Sequence, residues 1–461
     1  MKNKIEETTL RQNGWSRREF IGGSLAALVS VGFPGRHRIY GSGSPASSKE
    51  LKIKEYRTLG RTGFKVSDIG LGSGDMTDPA LLEAVLDAGI NYIDTAESYR
   101  RGGVEKAIGS VIKNRNRKSV FITTKLALQR DKSKEAFIER ARKCLERLQT
   151  DYIDCLMIHK PETVEQLKTE GFHAAIRVLK AEGKVRFCGL SNHGSQWGDV
   201  SETMEKVHLA AAEDGRFDVA LLVYNFLQRD MGEKILKAYK EKNIGATIMK
   251  TNPVLNYLEM KENADKLKEA GRKIPERLKN LISRLKARAD QAEAFKNKYN
   301  LTNNNAIRDA AIKFVLSNPY VSSACPTIGN YSDLEAYVAL SGTKFGLEER
   351  KKLAAYKTIF GEFYCRHACG ECEPSCPNRV PVNTIMRYNH YFKAQGRKKT
   401  AMFKYANLKQ NRADRCFDCT GYCEEACSYG VPVQGLLVLA HMTLINTGSG
   451  LQYFNNQDIS V

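Results

Sequence analysis

Short apolar runs alternate with amphipathic stretches through the middle of the chain, from residue 56 onward. Several of the runs are almost continuously apolar, which is typical of parallel strands that are buried on both faces. The eight runs that predict strands are 67–71, 91–95, 120–125, 152–159, 185–191, 219–224, 246–250 and 321–326. Helical periodicity separates several of them, at residues 80–88, 134–148, 164–181 and 233–242.

Eight strand–helix units over about 270 residues have the count and size of a (β/α)8 TIM barrel, which is an α/β fold. A doubly wound open sheet is the alternative. No Gly-x-Gly-x-x-Gly motif follows an early strand, however, and that motif is typical of dinucleotide binding in open sheets. The sequence therefore predicts a barrel, followed by a small, mainly helical, cysteine-rich iron–sulfur domain.

Three regions are predicted along the chain. Residues 1–48 form a signal peptide and linker, 49–345 form the barrel, and 346–461 form the helical domain with the cysteine motifs. An insertion at residues 255–300 interrupts the barrel after its seventh strand. It is rich in Lys, Glu, Ala and Leu and predicts one or two long surface helices that rise over the mouth of the barrel. A lid over the substrate and a passive excursion both fit this insertion.

The first fifty residues have the layout of an export signal. Arg17 and Arg18 precede Phe20, a weakly apolar stretch covers 22–33, and small and polar residues fill 41–48. The apolar core of about 13 residues is too short to span a bilayer. An arginine pair in this position indicates a twin-arginine signal, although a chance pair on an N-terminal helix is the alternative. We therefore expect the twin-arginine export machinery as a partner and a periplasmic protein, which stays membrane-associated if the signal is retained.

Composition and charge exclude several classes of protein. The 461 residues are 42% hydrophobic and 27% charged, which is ordinary for a soluble globular chain. No run of eighteen apolar residues occurs, so the chain is not a polytopic membrane protein. The net charge of +20 permits anionic partners, but the Lys and Arg residues are spread along the chain, which favours a solvated basic face. Export would also separate the protein from the nucleoid, so we expect no nucleic-acid partner.

Four chemically active side chains fall where predicted strands end and loops begin, which is where barrel active sites lie. Asp94 ends the second strand, Tyr99 follows in the next loop, Lys125 ends the third strand and His159 ends the fourth. A lysine ammonium beside a tyrosine stabilises the phenolate and lowers the phenol pKa. A carboxylate can hold the ammonium, and a histidine can orient a substrate oxygen. The set predicts a general acid that protonates a carbonyl oxygen as hydride reaches its carbon.

Five short segments in order resemble motifs of the aldo/keto reductases, and the resemblance covers about residues 54–340. The segments are 56–63, 93–99, 123–125, 157–159 and 189–192. The resemblance implies NADP(H)-dependent reduction of a carbonyl, or the reverse oxidation of an alcohol, with Tyr99 as the acid and base. It also implies that Ser191 and Asn192 bind the nicotinamide carboxamide.

Two segments of the implied nucleotide site depart from the family pattern. Met249 and Lys250 end the seventh strand, where many relatives place a tyrosine that stacks on the nicotinamide. Pro326 and Thr327 begin the segment that grips the adenosine in the family, but Gly329 occupies the position expected for a basic residue. An arginine fork is what a phosphate clamp needs. The sequence thus leaves both NADP(H) and NAD(H) open as cofactor.

Eight of the twelve cysteines form two sets of four near the end of the chain. The spacings are Cys-x3-Cys-x2-Cys-x3-Cys-Pro and Cys-x2-Cys-x3-Cys-x3-Cys, and bacterial ferredoxins use Cys-x2-Cys-x2-Cys-x3-Cys-Pro for [4Fe–4S] clusters. The sets predict two [4Fe–4S] clusters, with disulfides and zinc as alternatives. The eight predicted ligands are Cys365, Cys369, Cys372, Cys376, Cys416, Cys419, Cys423 and Cys427.

The paired arrangement also resembles a two-cluster ferredoxin-like module that is appended to some aldo/keto reductases. In such modules the fourth cysteine of each set binds the other cluster. The resemblance implies that Cys427 completes the cluster of the first set and Cys376 completes that of the second. Four further cysteines are isolated in predicted helices and strands and are expected to be buried apolar residues: Cys144, Cys155, Cys188 and Cys325.

Two functions fit these observations. The first is an exported oxidoreductase that acts on a small carbonyl or alcohol substrate, with the clusters stabilising the second domain or passing electrons to an electron-transfer protein. The second is a one-electron transfer or redox-sensing protein in which the barrel is a docking domain. The intact set of Asp94, Tyr99, Lys125 and His159 favours the enzyme.

Overall fold

The computed structural model describes residues 51–193, 202–253, 276–301, 304–393, 395–408 and 411–445. These residues belong to one compact unit. The predicted export signal and the part of the insertion up to residue 275 lie outside the described residues. None of the described helices is long and apolar enough to cross a bilayer.

An antiparallel hairpin closes the amino end of the barrel. Its strands are β1 (Tyr56–Thr58) and β2 (Lys65–Ser67). Leu59, between them, is fully buried and packs against Gly245, the first residue of a barrel strand. A side chain at Gly245 would collide with Leu59, so the glycine lets the hairpin seat against the barrel floor.

Eight parallel strands form the barrel, and each pairs with the next one along the chain. Backbone bridges from Ile69 to Ala324 and from Gly72 to Thr327 join the first strand to the last. The sheet therefore closes, which excludes the open doubly wound alternative and confirms the predicted (β/α)8 fold. The strands are β3 Leu71–Gly72, β4 Tyr92–Asp94, β5 Phe121–Ala127, β6 Ile153–His159, β7 Val185–Ser191, β8 Val219–Val223, β9 Gly245–Met249 and β10 Ser323–Ala324.

The first predicted strand, at 67–71, is divided in the structure between the hairpin and the barrel. The chain turns at Asp68, whose buried carboxylate accepts hydrogen bonds from the Ser341 hydroxyl at 2.6 Å and the Gly342 amide at 2.9 Å. These contacts hold the turn against residues 341–342, which follow the last barrel strand in sequence. The apolar pattern continues across the turn, so it could not reveal the break.

The helices alternate with the strands around the barrel wall. Residues 164–181, predicted as one helix, form two, and the His173 imidazole donates a hydrogen bond to the Leu167 carbonyl at the end of the first. The helices up to residue 338 are α1 Pro79–Asp87, α2 Gly103–Ile112, α3 Lys134–Leu148, α4 Val164–Leu167, α5 Glu170–Ala181, α6 Met204–Asp214, α7 Arg229–Glu241, α8 Glu276–Ala287, α9 Ala289–Lys298, α10 Asn305–Leu316 and α11 Tyr331–Val338.

A second helical layer with its own apolar core follows the barrel. Cysteine-bearing loops and short turns connect its helices, in agreement with the predicted mainly helical, cysteine-rich region. The helices are α12 Leu347–Phe360, α13 Val382–Lys393, α14 Lys398–Ala406, α15 Tyr422–Glu425 and α16 Val433–Ile445.

The described part of the insertion packs into this second core. Leu278, Leu281 and Leu285 of α8 are buried, and they follow the spacing of one helix face. Gly435 lets α16 approach closely, because a Cβ atom there would lie 2.9 Å from Leu281 Cδ2. The sequence predicts surface helices over the barrel mouth, whereas α8 is a core element that faces α16.

The second layer also contacts the carboxyl end of the barrel directly. Arg387 of α13 donates to the His193 carbonyl at 2.8 Å, beyond the end of β7. Gln228, at the start of α7, donates to the His367 carbonyl at 2.7 Å. Asn225 donates to the Tyr364 hydroxyl at 3.1 Å. The loop that carries the first cysteines therefore lies against the barrel mouth.

Candidate active site

The four predicted catalytic residues meet at the barrel mouth. Lys125 Nζ donates to Asp94 Oδ2 at 2.7 Å and to the Thr95 carbonyl at 2.6 Å. The Tyr99 ring centroid lies 5.1 Å from the same Nζ. The His159 ring stands edge-on to the Tyr99 ring, with 6.2 Å between centroids. Strand order explains the convergence, because β4, β5 and β6 are neighbours and their carboxyl ends lie side by side.

Burial controls the protonation of Tyr99. Burial raises the pKa of the Tyr99 phenol above its usual value, and the positive charge of Lys125 opposes this rise without overcoming it. As the sequence predicts, Lys125 lowers the pKa of the phenol. The net pKa shift is nevertheless upward, which is the reverse of the predicted direction. The phenol is therefore protonated at neutral pH, which is the form that a proton donor needs.

His159 is neutral in this environment. Burial is the largest cause that holds the pKa of its imidazole well below the usual range, and the positive charges of Lys160 and Lys125 add to it. Its Nδ1 atom is buried and has no hydrogen-bond partner within the described residues. A neutral imidazole can donate one hydrogen bond to a substrate oxygen without adding a charge.

A cleft of about 1490 Å³, partly open to solvent, lies over these residues. Asp94 and Tyr99 line it, together with four of the six residues predicted to bind a nucleotide: Met249, Lys250, Pro326 and Thr327. The other two, Ser191 and Asn192, are buried beside the cleft at the end of β7. The Asn192 amide donates to the Pro161 carbonyl.

Most of the residues around this cleft lie within a stretch that matches a family model. The model is described as the aldo/keto reductase family, and it matches residues 72–356. The chain belongs to the aldo/keto reductase family.

Individual relatives agree with the family match. The chain is 29% identical to "Aldo-keto reductase YhdN" of Bacillus subtilis over 209 residues, which are 41% of this chain and 60% of that protein. It is 37% identical to "Uncharacterized oxidoreductase YqkF" of the same organism over 150 residues, which are 30% of this chain and 48% of that protein. The chain thus spans less than two thirds of the length of these relatives.

The fold also resembles a solved family structure, the holo form of aldo-keto reductase AKR11C1 from Bacillus halodurans. The identity is 22%, the TM-score is 0.47, and the match covers 65% of this chain and 95% of the other. The membership of this chain in the family rests on the matched residues 72–356.

The structure also brings an arginine that sequence reasoning missed close to the cleft. Gly329, the position where a basic residue is expected, is exposed and lines the cleft. The Arg308 guanidinium of α10 lies 5.1 Å from the centroid of the Tyr337 ring, which also lines the cleft. The family pattern places the basic residue after β10, whereas Arg308 precedes this strand, so the pattern does not point to it.

One wall of the cleft comes from outside the residues that match the aldo/keto reductase family. His390, Tyr391, Gln395 and Arg397 follow residue 356 and line the cleft from the second layer. The Arg397 guanidinium pairs with Asp75 of the barrel at 2.7 Å. In the sequence, this wall is marked by a run of basic and aromatic residues from 387 to 391 on α13. The run matches none of the motifs that predict the active site.

The eight clustered cysteines, also beyond the family match, form two groups. The first group lines one enclosed cavity: Cys365, Cys369, Cys372 and Cys427. In the second group, the nearest electrostatic partners of the Cys416 thiol are Cys423, Cys376 and Cys419. Burial raises the pKa of the thiols of Cys369 and Cys423 to about 12.

All twelve cysteines are described, and none of them forms a disulfide with another. The isolated ones, Cys144, Cys155, Cys188 and Cys325, are buried as expected. Among the described residues, no three side chains of His, Cys, Asp or Glu are grouped tightly enough to bind one metal ion.

Proposed function

We propose that this protein is an oxidoreductase that reduces a small carbonyl substrate, or oxidises the corresponding alcohol, with Tyr99 as general acid and base. The observation that carries the proposal is the buried chain of contacts from Asp94 through Lys125 to Tyr99 at the cleft. Each member has one task in carbonyl reduction. A buried lysine that pairs with a carboxylate inside a cleft is typical of a catalytic site.

The protein residues perform the proton transfer. Asp94 and the Thr95 carbonyl hold the Lys125 ammonium in place. The ammonium stabilises the phenolate that forms when Tyr99 gives its proton to the substrate oxygen. The neutral imidazole of His159 donates a hydrogen bond to the same oxygen and orients the carbonyl. In the oxidative direction Tyr99 takes the proton back.

A nicotinamide nucleotide, NADP(H) or NAD(H), fits the cleft as the cofactor and supplies the hydride when it is bound. Met249, Lys250, Pro326 and Thr327 would hold it, because all four line the cleft that contains Tyr99. Ser191 and Asn192 would bind the carboxamide from the end of β7. Arg308 and the exposed Gly329 leave the choice between the two nucleotides open.

Two [4Fe–4S] clusters fit the cysteine groups. Each thiolate of such a cluster binds a different iron, so the sulfur atoms stand farther apart than the ~3.8 Å expected around a tetrahedral zinc. The first four cysteines line one common cavity, which supports this assignment. The first cluster would be held by Cys365, Cys369, Cys372 and Cys427, and the second by Cys376, Cys416, Cys419 and Cys423. The clusters stabilise the second layer or pass electrons to a protein partner.

The export signal supports a periplasmic location. The twin-arginine route carries folded proteins, and clusters assembled in the cytoplasm would need such a route. Arg17, Arg18 and the apolar stretch at 22–33 are the residues that support this assignment.

A second candidate function is electron transfer with the barrel as a docking or sensing domain. The contact between the first cysteine loop and the barrel favours it: Gln228 bonds to His367, two residues from Cys365. Clusters carry single electrons, whereas nicotinamide transfers a hydride, so direct exchange between them needs a mediator.

One titration separates the two functions. NADPH and NADH are added in turn to the anaerobically purified full-length protein while nicotinamide fluorescence and cluster absorbance are recorded. We expect binding of at least one nucleotide, and turnover of an aldehyde that is lost in Tyr99→Phe. Turnover that is unchanged in Tyr99→Phe would refute the mechanism. Bleaching of the cluster absorbance by NADPH would show electron flow between the two halves, and binding of neither nucleotide would favour the docking function.

A further inference from the structure

Positive charge accumulates at the barrel mouth, on one buried and three half-buried side chains. Lys160 follows β6, Lys250 follows β9, and Arg387 and Lys404 lie on α13 and α14. The largest electrostatic partners of Lys160 are Lys404 and Arg387, and those of Lys250 are Arg387 and Lys160. Four cationic side chains from four different elements therefore converge on one place.

Two carboxylates at the barrel mouth pair with cations outside this group, and Glu373 lies near Arg387. Asp94 binds Lys125 at 2.7 Å. Asp75 binds Arg397 at 2.7 Å and Arg100 at 2.9 Å. No carboxylate is among the largest electrostatic partners of Lys160 or Lys250 within the described part of the chain.

Among the four cationic side chains, Lys250 has the least favourable surroundings. Its Nζ atom has no exposed surface and no hydrogen-bond partner among the residues that the structure describes. A buried ammonium without a partner is costly, because it loses its hydration and gains nothing in return. Burial and the other cations hold the pKa of both Lys160 and Lys250 well below the usual range, which measures that cost.

The backbone at both lysines is strained. Lys160 has a φ of 59° and Lys250 a φ of 53°, in the left-handed region that lysine seldom adopts. Hydrogen bonds hold both residues there: the Lys160 amide donates to the Ser191 carbonyl at 2.6 Å, and the Lys250 carbonyl accepts from Asn225 at 3.1 Å. Backbone strain at the ends of two strands of the same barrel mouth is typical of a functional site.

We propose that Lys160, Lys250, Arg387 and Lys404 bind an anionic group of the substrate, a carboxylate or a phosphate, next to the reacting carbonyl. The inference rests on the proposed reductase function and names the substrate class of that site. The position agrees, because Lys160 and Lys404 are both among the electrostatic partners of His159. An anion would give the Lys250 ammonium the partner that the described protein atoms do not provide.

The phosphates of a nucleotide cofactor are the other source of the same chemistry. Lys250 lines the cleft together with the predicted nucleotide residues Met249 and Pro326. Lys160 and Lys404, however, are coupled to His159, which would hold the carbonyl oxygen. An anion carried by the substrate satisfies both sets of contacts.

The first test compares two aldehydes of similar size that differ in charge, 4-carboxybenzaldehyde and 4-methylbenzaldehyde. Reduction by the full-length, anaerobically purified protein is measured for the native chain, Lys160→Met, Lys250→Met and the exposed control Lys113→Met. We expect the native protein to prefer the carboxylate by about tenfold or more in kcat/KM, since a charge-assisted hydrogen bond contributes that much. Both site variants should lose this preference, and Lys160→Met, which lies outside the predicted nucleotide residues, should keep its rate with the methyl compound.

Equal kcat/KM for the two aldehydes in the native protein, or an equal fall for both in Lys160→Met, would overturn the inference. A rise confined to the KM for NADPH would also overturn it, because the anion bound would then be a nucleotide phosphate.

A second test needs no turnover and separates this inference from the proposed function. Calorimetry measures the binding of terephthalate and of inorganic phosphate to the same four proteins. Binding by the native protein that weakens at least tenfold in Lys160→Met and Lys250→Met, but not in Lys113→Met, supports an anion site even if no aldehyde is reduced. Binding that is absent from the native protein, or equal in all four, refutes it.

Discussion

Lys125 donates a 2.7 Å hydrogen bond to Asp94 where solvent reaches neither side chain appreciably, with 0% and 5% of the two side chains exposed. Removing one member of such a pair leaves the other charge buried alone. We expect Lys125→Met to lower the free energy of unfolding by about 3–5 kcal/mol. Denaturation by urea, followed by circular dichroism, measures the loss.

The double variant Asp94→Asn with Lys125→Met is the control for this pair. Replacing both charges removes the lone carboxylate, so the double variant should recover part of the stability while it remains inactive. A double variant that is less stable than Lys125→Met alone would show that the pair itself, rather than an unpaired charge, determines stability.

The raised pKa of Tyr99 sets the expected pH dependence of activity. Reduction needs the protonated phenol, which is the form present below the pKa. Since burial raises that pKa above the ordinary value of about 10, reduction should persist through neutral pH and decline only at higher pH. Oxidation needs the phenolate and should be slow at neutral pH. The profile of kcat/KM against pH measures both, and a decline in reduction centred near neutrality would contradict the assignment.

The crossed cysteine groups predict which cluster each variant loses. Cys427→Ser should abolish the first cluster, and Cys376→Ser the second, so that each variant retains about half of the iron. Iron and sulfide content, together with electron paramagnetic resonance after reduction, distinguish the two clusters. Cys188→Ala, at a buried thiol of the barrel, serves as the control and should retain all of the iron. Retention of the first cluster in Cys427→Ser would refute the crossed assignment.

Gly109 of α2 is a packing position where no side chain fits. A Cβ atom there would collide with the backbone oxygen of Arg147 and lie 2.7 Å from the carbonyl carbon of Leu148, at the end of α3. We expect Gly109→Ala to lower the free energy of unfolding by about 1–3 kcal/mol. Gly103→Ala is the matched control, because a Cβ there meets only Arg100 at 3.5 Å. Similar unfolding curves for the two variants would show that α2 can move away from α3 at little cost.

The barrel and its catalytic residues could be predicted from the sequence because they depend on local patterns. Buried parallel strands give almost continuous apolar runs, and the carboxyl ends of neighbouring strands must lie together. Asp94, Lys125 and His159 therefore meet as soon as their strands are identified. The spacing of the cysteines carries similar information, since thiols close together in sequence lie close together in space, and four of them line one cavity.

The wall that α13 adds to the cleft could not be predicted in this way. Arg387, His390 and Arg397 reach the barrel only because α13 docks on it, and no local period encodes that docking. The burial of Tyr99 also explains why the direction predicted for its pKa shift was wrong. A neighbouring charge can be inferred from the sequence, but burial depends on the whole fold.

The packing of α8 against α16 has a consequence for the synthesis of the chain. Leu281 is made well before Gly435, and the strand β10 that closes the barrel lies between them in sequence. During synthesis on the ribosome, the apolar face of α8 therefore stays exposed to solvent until the last described helix has emerged. Contacts of such long sequence separation form slowly and expose the nascent chain to aggregation. Chaperone binding during this interval should accordingly concentrate on residues 278–285.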